Sequence, residues 1–368
     1  MSEIPGVSIE EVPTPPSPPP SSTGRPSVLE PNVARATPTT RAISRSVEVR
    51  RASELPYVRF LKEFVEPRIP VVVQGGTDAW PAMKKWTPEY FKTRFGPTPV
   101  EVGYDTKMPF DRFIDEVLAS TDEKPGPYMY RLFLHEHLPE LLPDVTPQNP
   151  YAFPRRYASP LMLPYWRRPD GYLKLLIGGV GGRFPIMHYD GDNAHATITE
   201  IYGDKEIVLY PPGDSAYLYP KAERANHSGV DDPVNQELDR FPLLAKATQH
   251  RAVLSPGDAV FVPCGWWHTA RALTVSISVC TNMVDGSNWA GYVSEVTALK
   301  PGLSTAKQLI KRAYLTGLGP AMSLLEALQQ GFPSATRALR VPGLLSPATA
   351  AHAREPSTLK IRGRRTTY

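Results

Sequence analysis

The apolar residues in the first third of the chain recur mostly at helical spacing. In the run SELPYVRFLKEFVEP they return every three or four positions, which predicts a helix capped by Ser53. A second helix is predicted to begin at Thr87-Pro88-Glu89, where an N-cap is followed by a first-turn proline and an acid, and to end near Phe95. The pattern also predicts a third helix in PFDRFIDEVLAS, and strands in IPVVVQGG and PVEVGYD.

From Gly171 onward the pattern changes to short apolar runs separated by glycine, proline and aspartate turns. The clearest runs are LKLLIGGV, FPIMHYD, EIVLYPP, HRAVLSPGD, AVFVPCG and TVSISVCTN. Strands this short and closely spaced, without helices between them, indicate an antiparallel barrel or a double-sheet jelly roll. Helical spacing returns after Asn288, in YVSEVTALK, STAKQLIKRAYLTGL and AMSLLEALQQGF. We therefore predict an α+β domain, mainly β, over residues 46–290, followed by a helical segment at 291–345.

The two ends of the chain lack this periodicity. Residues 1–45 include PTPPSPPPSS and are predicted to be a disordered leader, either a plain tether or a polyproline segment that binds a partner. Residues 346–368 end in LKIRGRRTTY and are predicted to be a basic, flexible tail. The chain has 368 residues and a formal net charge of +4, which is too mildly basic to indicate nucleic-acid binding.

The composition also argues against two other classes of protein. Cys264 and Cys280 are the only cysteines, so neither a disulfide framework nor a cysteine-rich zinc site is expected. No run approaches the roughly 20 apolar residues of a membrane helix, and the leader lacks the apolar core of a secretory signal. These features predict a soluble intracellular protein, cytoplasmic or, in a eukaryote, nuclear.

His188 and Asp190 stand two residues apart in a predicted strand, so their side chains point to the same face. A third candidate ligand, His268, follows the run AVFVP and a turn. Two histidines and one carboxylate occupy one face of a non-haem iron(II) ion and leave positions open for a bidentate cosubstrate and oxygen. Structural zinc prefers a closed tetrahedron of cysteine and histidine. A His-x-Asp pair alone is common, so the neighbouring segments decide its meaning.

Those neighbouring segments are HYDGDN, YGDKEIVLYPP and LDRFPLLAKATQHRAVLSPGDAVFVPCGWWH. They resemble the cupin-like JmjC-domain hydroxylases, the family of the asparaginyl hydroxylase that modifies hypoxia-inducible factor. The segment IPVVVQGGTDAWPAMKKWTPEYFKTRFG is similar to the start of that domain, and the resemblance extends from about residue 47 to about residue 288. It implies a double-stranded β-helix with iron(II) at its open end and with 2-oxoglutarate and O2 as cosubstrates. It also implies that His188, Asp190 and His268 are the iron ligands.

The resemblance further implies which residues bind 2-oxoglutarate. Lys205 matches the lysine that pairs with the distal carboxylate, and Tyr128 matches the tyrosine that hydrogen-bonds the same group, with Tyr130 as the alternative. Asn193 lies near a family asparagine that faces the other end of the cosubstrate. In addition, Lys205 shares a strand face with Ile207, which predicts a buried cation in an apolar barrel. Such a cation needs an anionic partner, and we expect the cosubstrate to provide it.

The sequence departs from the family pattern in three places. Pro185 occupies the position, three residues before the first ligand histidine, that usually carries a threonine or serine. Two extra residues precede Lys205, and in the last strand Cys280 stands where an asparagine is frequent, with Asn282 two residues later. These departures concern the cosubstrate pocket and leave the three metal ligands in place.

The implied activity is that of an Fe(II)- and 2-oxoglutarate-dependent dioxygenase that hydroxylates a C–H bond, with a protein side chain as the expected substrate. Demethylation stays open, as do a small-molecule or RNA-base substrate and a cupin-type binding module without turnover. The triad together with Lys205 argues against the binding module. The apolar stripes of the C-terminal helices indicate either packing on the barrel or a homodimer, and neither alternative is favoured.

Overall fold

The computed structural model describes residues 43–103, 106–153, 155–167, 172–230, 232, 234, 237–298 and 304–331. The leader up to residue 42 and the predicted basic tail lie outside these residues. The strands are β1 (Ile43–Ser46), β2 (Glu48–Arg51), β3 (Val71–Gln74), β4 (Pro99–Val102), β5 (Thr106–Pro109), β6 (Tyr128–Phe133), β7 (Lys174–Gly178), β8 (His195–Tyr202), β9 (Lys205–Tyr210), β10 (Pro220–Lys221), β11 (Arg224–Ser228), β12 (Thr248–Leu254), β13 (Ala259–Val262), β14 (Trp267–Ala272) and β15 (Ser276–Met283).

The α-helices are α1 (Tyr57–Phe60), α2 (Ala82–Lys85), α3 (Pro88–Phe95), α4 (Phe110–Leu118), α5 (Leu134–His137), α6 (Trp289–Val296) and α7 (Thr305–Gly331). A π-helical turn, Leu61–Val65, continues α1. Short 3-10 helices lie at Ala52–Glu54, Pro139–Val145, Pro164–Trp166, Pro212–Tyr217 and Pro242–Lys246. Among the helices that the structure describes, none has the length and apolar character needed to cross a bilayer.

The strands build the predicted jelly roll from two main sheets. The larger sheet has seven strands in the order β2-β3-β13-β8-β15-β7-β6, and the smaller has four in the order β1-β12-β9-β14. Apart from the parallel pairs β1–β12 and β2–β3, the paired strands of both sheets are antiparallel. Ile198 and Val260 of the larger sheet share one apolar core with Ile207 and Leu209 of the smaller sheet. The predicted α+β fold, a double-stranded β-helix, is therefore confirmed.

Strand β8 was absent from the clearest predicted strands, although it lies near the middle of the larger sheet. Seven of its eight residues are buried, from His195 to Ile201. One face, with Ile198, points into the core between the sheets, whereas Ile201 packs in a second core beneath α3 and α4. A strand that is covered on both faces has no alternation of apolar and polar residues, so its sequence carries no period-two signal.

Two helical predictions have different outcomes. Helix α3 spans the predicted residues, and the Thr87 hydroxyl caps it by accepting a hydrogen bond from the Tyr90 backbone N–H at 3.1 Å. The prediction of one helix capped by Ser53 is wrong, because α1 begins only after Pro56. A residue that precedes a proline is disfavoured in helical conformation, so Leu55 separates α1 from the 3-10 turn before it.

The elements at both ends of the described chain also differ from the prediction. β1 begins at Ile43 and pairs with β12, so the last three residues of the predicted leader belong to a strand. The last two predicted helices form one helix, α7, which continues through Pro320. Leu315 and Met322, on either side of this proline, are buried in one cluster with Trp289. This packing holds the helix together although Pro320 lacks a backbone N–H donor.

Candidate metal centre

The first two predicted ligands lie in a segment that is less regular than expected. FPIMHYD was predicted to be a strand, but His188 makes only single bridges, to His268 on one side and to His227 on the other. The backbone N–H of His188 donates to the His268 carbonyl at 3.1 Å, and the His268 N–H donates back at 2.7 Å. Residues that face each other in an antiparallel pair project to the same side. The two imidazole rings therefore lie together, with centroids 4.4 Å apart.

Asp190 completes a cluster with these two histidines. One potential ligand atom from each of the three side chains lies within 4.8 Å of the others. His188 and Asp190 are partly exposed, whereas His268 is buried, so the cluster lies at an accessible end of the barrel. The structure thus brings together all three residues that the sequence nominated as metal ligands.

Backbone contacts set the orientation of both imidazoles. Nδ1 of His188 lies 3.1 Å from the Ile186 carbonyl, and Nδ1 of His268 lies 3.1 Å from the Trp266 carbonyl. Because a carbonyl oxygen only accepts hydrogen bonds, each Nδ1 carries the proton and each Nε2 keeps a free lone pair. Burial and the neighbouring His188 ring also lower the pKa of His268 to about 4. His268 is therefore neutral near pH 7, the form that binds a metal.

Asp190 supplies the oxygen of the cluster. Burial opposes its ionisation, but the adjoining His188 and His268 rings outweigh that effect and keep the pKa of Asp190 well below its usual range. The Asn282 side-chain amide donates to Oδ2 of Asp190 at 3.1 Å, while Oδ1 lies 3.6 Å from Nε2 of His188. Two imidazole nitrogens and one carboxylate oxygen form a donor set that fits non-haem iron(II).

Two residues that border this cluster were not predicted to have a role there. Asn282 orients the Asp190 carboxylate, and its only signal is its place on the same face of β15 as Ser278 and Cys280. His227 lies across the chain from His188, with ring centroids 6.1 Å apart. Burial and the His188 ring lower the pKa of His227 to about 4. Nothing in the sequence near His227 indicates this placement, because it depends on a bridge between distant segments.

Lys205 lies deeper in the same barrel and is completely buried. Its Nζ donates a hydrogen bond to the Ser278 hydroxyl and lies 5.6 Å from the centre of the Tyr128 ring. The buried Tyr128 hydroxyl has no hydrogen-bond partner among the described residues. A buried ammonium beside an unpartnered phenol hydroxyl is a donor pair that fits a carboxylate.

Lys205 also has an anionic partner within the chain, which the sequence did not predict. Oε2 of Glu200 lies 3.4 Å from Nζ of Lys205, and both side chains are fully buried. This partner, Glu200, could not be predicted because it lies in β8, the strand without a period-two signal. The chain itself therefore supplies one anion to this cation.

Comparison with known proteins agrees with this architecture. A family model described as a cupin-like domain matches residues 57–284. The chain belongs to the cupin-like domain family. The resemblance inferred from the sequence motifs is thereby confirmed.

The chain is also similar in sequence to several named proteins. It is 29% identical over 234 residues to "Lysine-specific demethylase 8" of Danio rerio, covering 60% of this chain and 54% of that protein. It is 24% identical over 264 residues to the human "Bifunctional peptidase and (3S)-lysyl hydroxylase JMJD7", covering 60% and 79%. It is 27% identical over 257 residues to the Danio rerio "2-oxoglutarate and iron-dependent oxygenase JMJD4", covering 64% and 60%. The chain spans about half the length of the first of these relatives.

The remaining candidates in the cupin-like domain lie in different surroundings. Tyr130 shares the core face of Tyr128 and packs on Phe184 at 4.5 Å, and Phe184 in turn stacks on His188 at 4.7 Å. Asn193, by contrast, donates through its side chain to the Asn288 carbonyl at 3.0 Å. Its backbone N–H donates to the Glu295 carboxylate at 3.0 Å. These bonds tie Asn193 to the N-cap and the last turn of α6, so none of them supports the predicted contact with a cosubstrate.

Proposed function

We propose that this cupin-like domain is an Fe(II)- and 2-oxoglutarate-dependent dioxygenase that hydroxylates a C–H bond. The observation that carries the proposal is the convergence of His188, Asp190 and His268 at the accessible end of a barrel that buries Lys205 deeper inside. The Danio rerio relative JMJD4, named as a 2-oxoglutarate and iron-dependent oxygenase, supports the same cofactors.

Each group of residues has a defined task in this proposal. His188, Asp190 and His268 hold the iron through two Nε2 atoms and one carboxylate oxygen. Lys205 and the Tyr128 hydroxyl bind the distal carboxylate of 2-oxoglutarate. When bound, iron(II) with 2-oxoglutarate and O2 supplies the oxidising chemistry, which yields succinate, CO2 and a hydroxylated product. The apolar walls between the two sheets exclude water from this chemistry.

We propose a protein side chain as the substrate. The names of two relatives, a lysine-specific demethylase and a (3S)-lysyl hydroxylase, support this substrate class. We also propose an intracellular location, which the two free and buried cysteines, Cys264 and Cys280, support, since oxidising compartments favour disulfides.

We further propose that α7 contributes to a homodimer. Leu315 and Met322 face the domain and are buried, but Leu309, Ile310 and Leu324 on the same helix are more than half exposed. Large exposed apolar side chains on one helix are typical of a protein contact. Size-exclusion chromatography with light scattering should give a dimer for the wild type and a monomer for the double variant Leu309→Glu/Ile310→Glu. A monomeric wild type would contradict this part of the proposal.

The oxygenase proposal is tested by incubating the full chain with Fe(II), 2-oxoglutarate, O2 and candidate peptides, and by measuring succinate. The wild type should release succinate, and His188→Ala should not. A suitable control is His137→Ala, which removes an exposed histidine of α5 and should behave like the wild type. If the wild type releases no succinate above the His188→Ala background, the proposal is contradicted and a binding module is favoured.

A further inference from the structure

The pair formed by Glu200 and Lys205 is built into the deep end of the barrel. Glu200 lies on β8 and Lys205 on β9, and Oε2 of the first is 3.4 Å from Nζ of the second. The hydroxyl of Ser276 donates to Oε1 of Glu200 at 2.7 Å, and Nζ of Lys205 donates to the Ser278 hydroxyl. All four side chains are completely buried. The Lys205 ammonium therefore already faces one carboxylate.

The other ionisable groups near Glu200 do not change this balance of charge. Tyr128 on β6 lies beside Lys205, and Cys280 on β15 is a buried thiol on the same core face. Asp204 adjoins Lys205 in the turn before β9, but its carboxylate accepts the Ser255 hydroxyl in an exposed position. Within the described part of the pocket, one cation and one anion thus compensate each other.

The two members of the pair differ in how they hold a proton. Burial raises the pKa of Glu200 to about 7, although Lys205 acts in the opposite direction. Burial lowers the pKa of Lys205, but Glu200 and Tyr128 together outweigh burial, and the net shift is upward. Lys205 therefore stays charged at neutral pH, and Glu200 is the member that can take up a proton. Ser276 holds Oε1 of Glu200, so Oε2, which lies 3.4 Å from Nζ of Lys205, is the oxygen left to carry the proton.

A second carboxylate at Lys205 would disturb this neutral pair. If the distal carboxylate of 2-oxoglutarate joined an ionised Glu200, two buried anions would share one cation. Two carboxylates in one buried site do not both stay ionised, because burial and like-charge repulsion favour protonation of one of them. Protonated Glu200 would leave one cation and one anion, and its O–H would become a hydrogen-bond donor to the incoming group.

We propose that Glu200 is a cosubstrate-site residue that takes up one proton when the distal carboxylate of 2-oxoglutarate binds Lys205. This inference rests on the proposed oxygenase function. Binding of 2-oxoglutarate that is coupled to proton uptake becomes weaker as the pH rises. The affinity for 2-oxoglutarate should fall by about tenfold per pH unit above neutrality and should level off below about pH 6.

The experiment is isothermal titration calorimetry of 2-oxoglutarate into the full chain saturated with Mn(II), without oxygen. Repeating the titration at about pH 8 in buffers with different ionisation enthalpies gives the number of protons taken up. We expect about one proton for the wild type and none for Glu200→Gln. Both proteins keep the same metal ligands, so any effect of pH on the metal centre is common to them. Pyruvate, a 2-oxo acid without the distal carboxylate, should bind the wild type without proton uptake.

A second variant keeps the test valid if Glu200→Gln does not fold. Ser276→Ala retains Glu200 but removes the hydroxyl that stabilises its carboxylate, so the pH at which affinity begins to fall should move upward. Binding of 2-oxoglutarate without proton uptake, or with equal uptake in Glu200→Gln, would overturn this inference alone. If Mn(II) binds but 2-oxoglutarate binds neither protein, the oxygenase proposal itself is overturned.

Discussion

The two ends of the barrel handle buried charge in opposite ways. At the accessible end, Asp190 lies beside two imidazole rings, and the Asn282 amide holds one of its oxygens. That end brings together two imidazole nitrogens and one carboxylate oxygen, a donor set that fits a bound metal ion. At the deep end, Lys205 already has its opposite charge in Glu200. The metal end is thus prepared for a ligand, whereas the deep end, in our proposal, changes its protonation to accept one.

The largest effect should come from breaking the deep pair. Lys205→Met leaves Glu200 as a buried carboxylate without its cation, and it should lower the free energy of unfolding by about 3–5 kcal/mol. Chemical denaturation followed by circular dichroism measures this change. The double variant Lys205→Met/Glu200→Leu removes both charges and should recover most of the loss. If the single variant is as stable as the wild type, the pair does not compensate charge in the way described.

The pH dependence of stability sharpens the same point. Burial raises the pKa of Glu200 to about 7, whereas the ordinary value is 4.5, so the folded protein holds this proton more tightly than the unfolded chain. The stabilisation from this proton is complete below about pH 4.5 and is lost as the pH rises through about 7, a decline of up to roughly 3 kcal/mol. Denaturation at several pH values should show this decline in the wild type and a smaller one in Glu200→Gln. Parallel profiles would contradict it.

At the metal end the main effect should appear in binding. His268→Ala removes one of three donors and should weaken Mn(II) binding by at least about a hundredfold, more than the usual loss of a supporting residue. Calorimetry without cosubstrate measures this affinity. His227→Ala is the matched control, because His227 adjoins His188 but is not one of the three clustered donors. It should change the affinity only slightly, and a loss as large as that of His268→Ala would make His227 a ligand.

The smallest effect should come from the residue that orients the carboxylate. Asn282→Ala removes the amide that holds Oδ2 of Asp190, and it should weaken Mn(II) binding by about tenfold. Asn282→Asp keeps the shape of the side chain but adds a second carboxylate beside Asp190. Its effect on the pKa of Asp190 should therefore differ from that of Asn282→Ala. An unchanged Mn(II) affinity in Asn282→Ala would show that Asp190 needs no support from β15.

Local signals in the sequence determined a large part of this protein. The Thr87-Pro88-Glu89 start of α3 was predictable because a helix cap depends only on neighbouring residues. The short runs after Gly171 indicated the jelly roll, and the motifs around His188, Asp190 and His268 indicated the ligands. Lys205 was predicted to be buried from its place between apolar residues, and it is completely buried.

Only the tertiary structure decided the partners of these residues. Glu200 and Lys205 are only five positions apart, but they lie on β8 and β9, which belong to different sheets, so their pairing depends on how the two sheets pack. Asn282 reaches Asp190, and Asn193 turns to α6, through contacts between segments some 90 to 100 residues apart. A strand pattern specifies which side of a sheet a residue faces, but the strand opposite is chosen by the packing of the whole barrel. The sequence therefore determined the charges inside the barrel, and the fold decided which of them compensate each other.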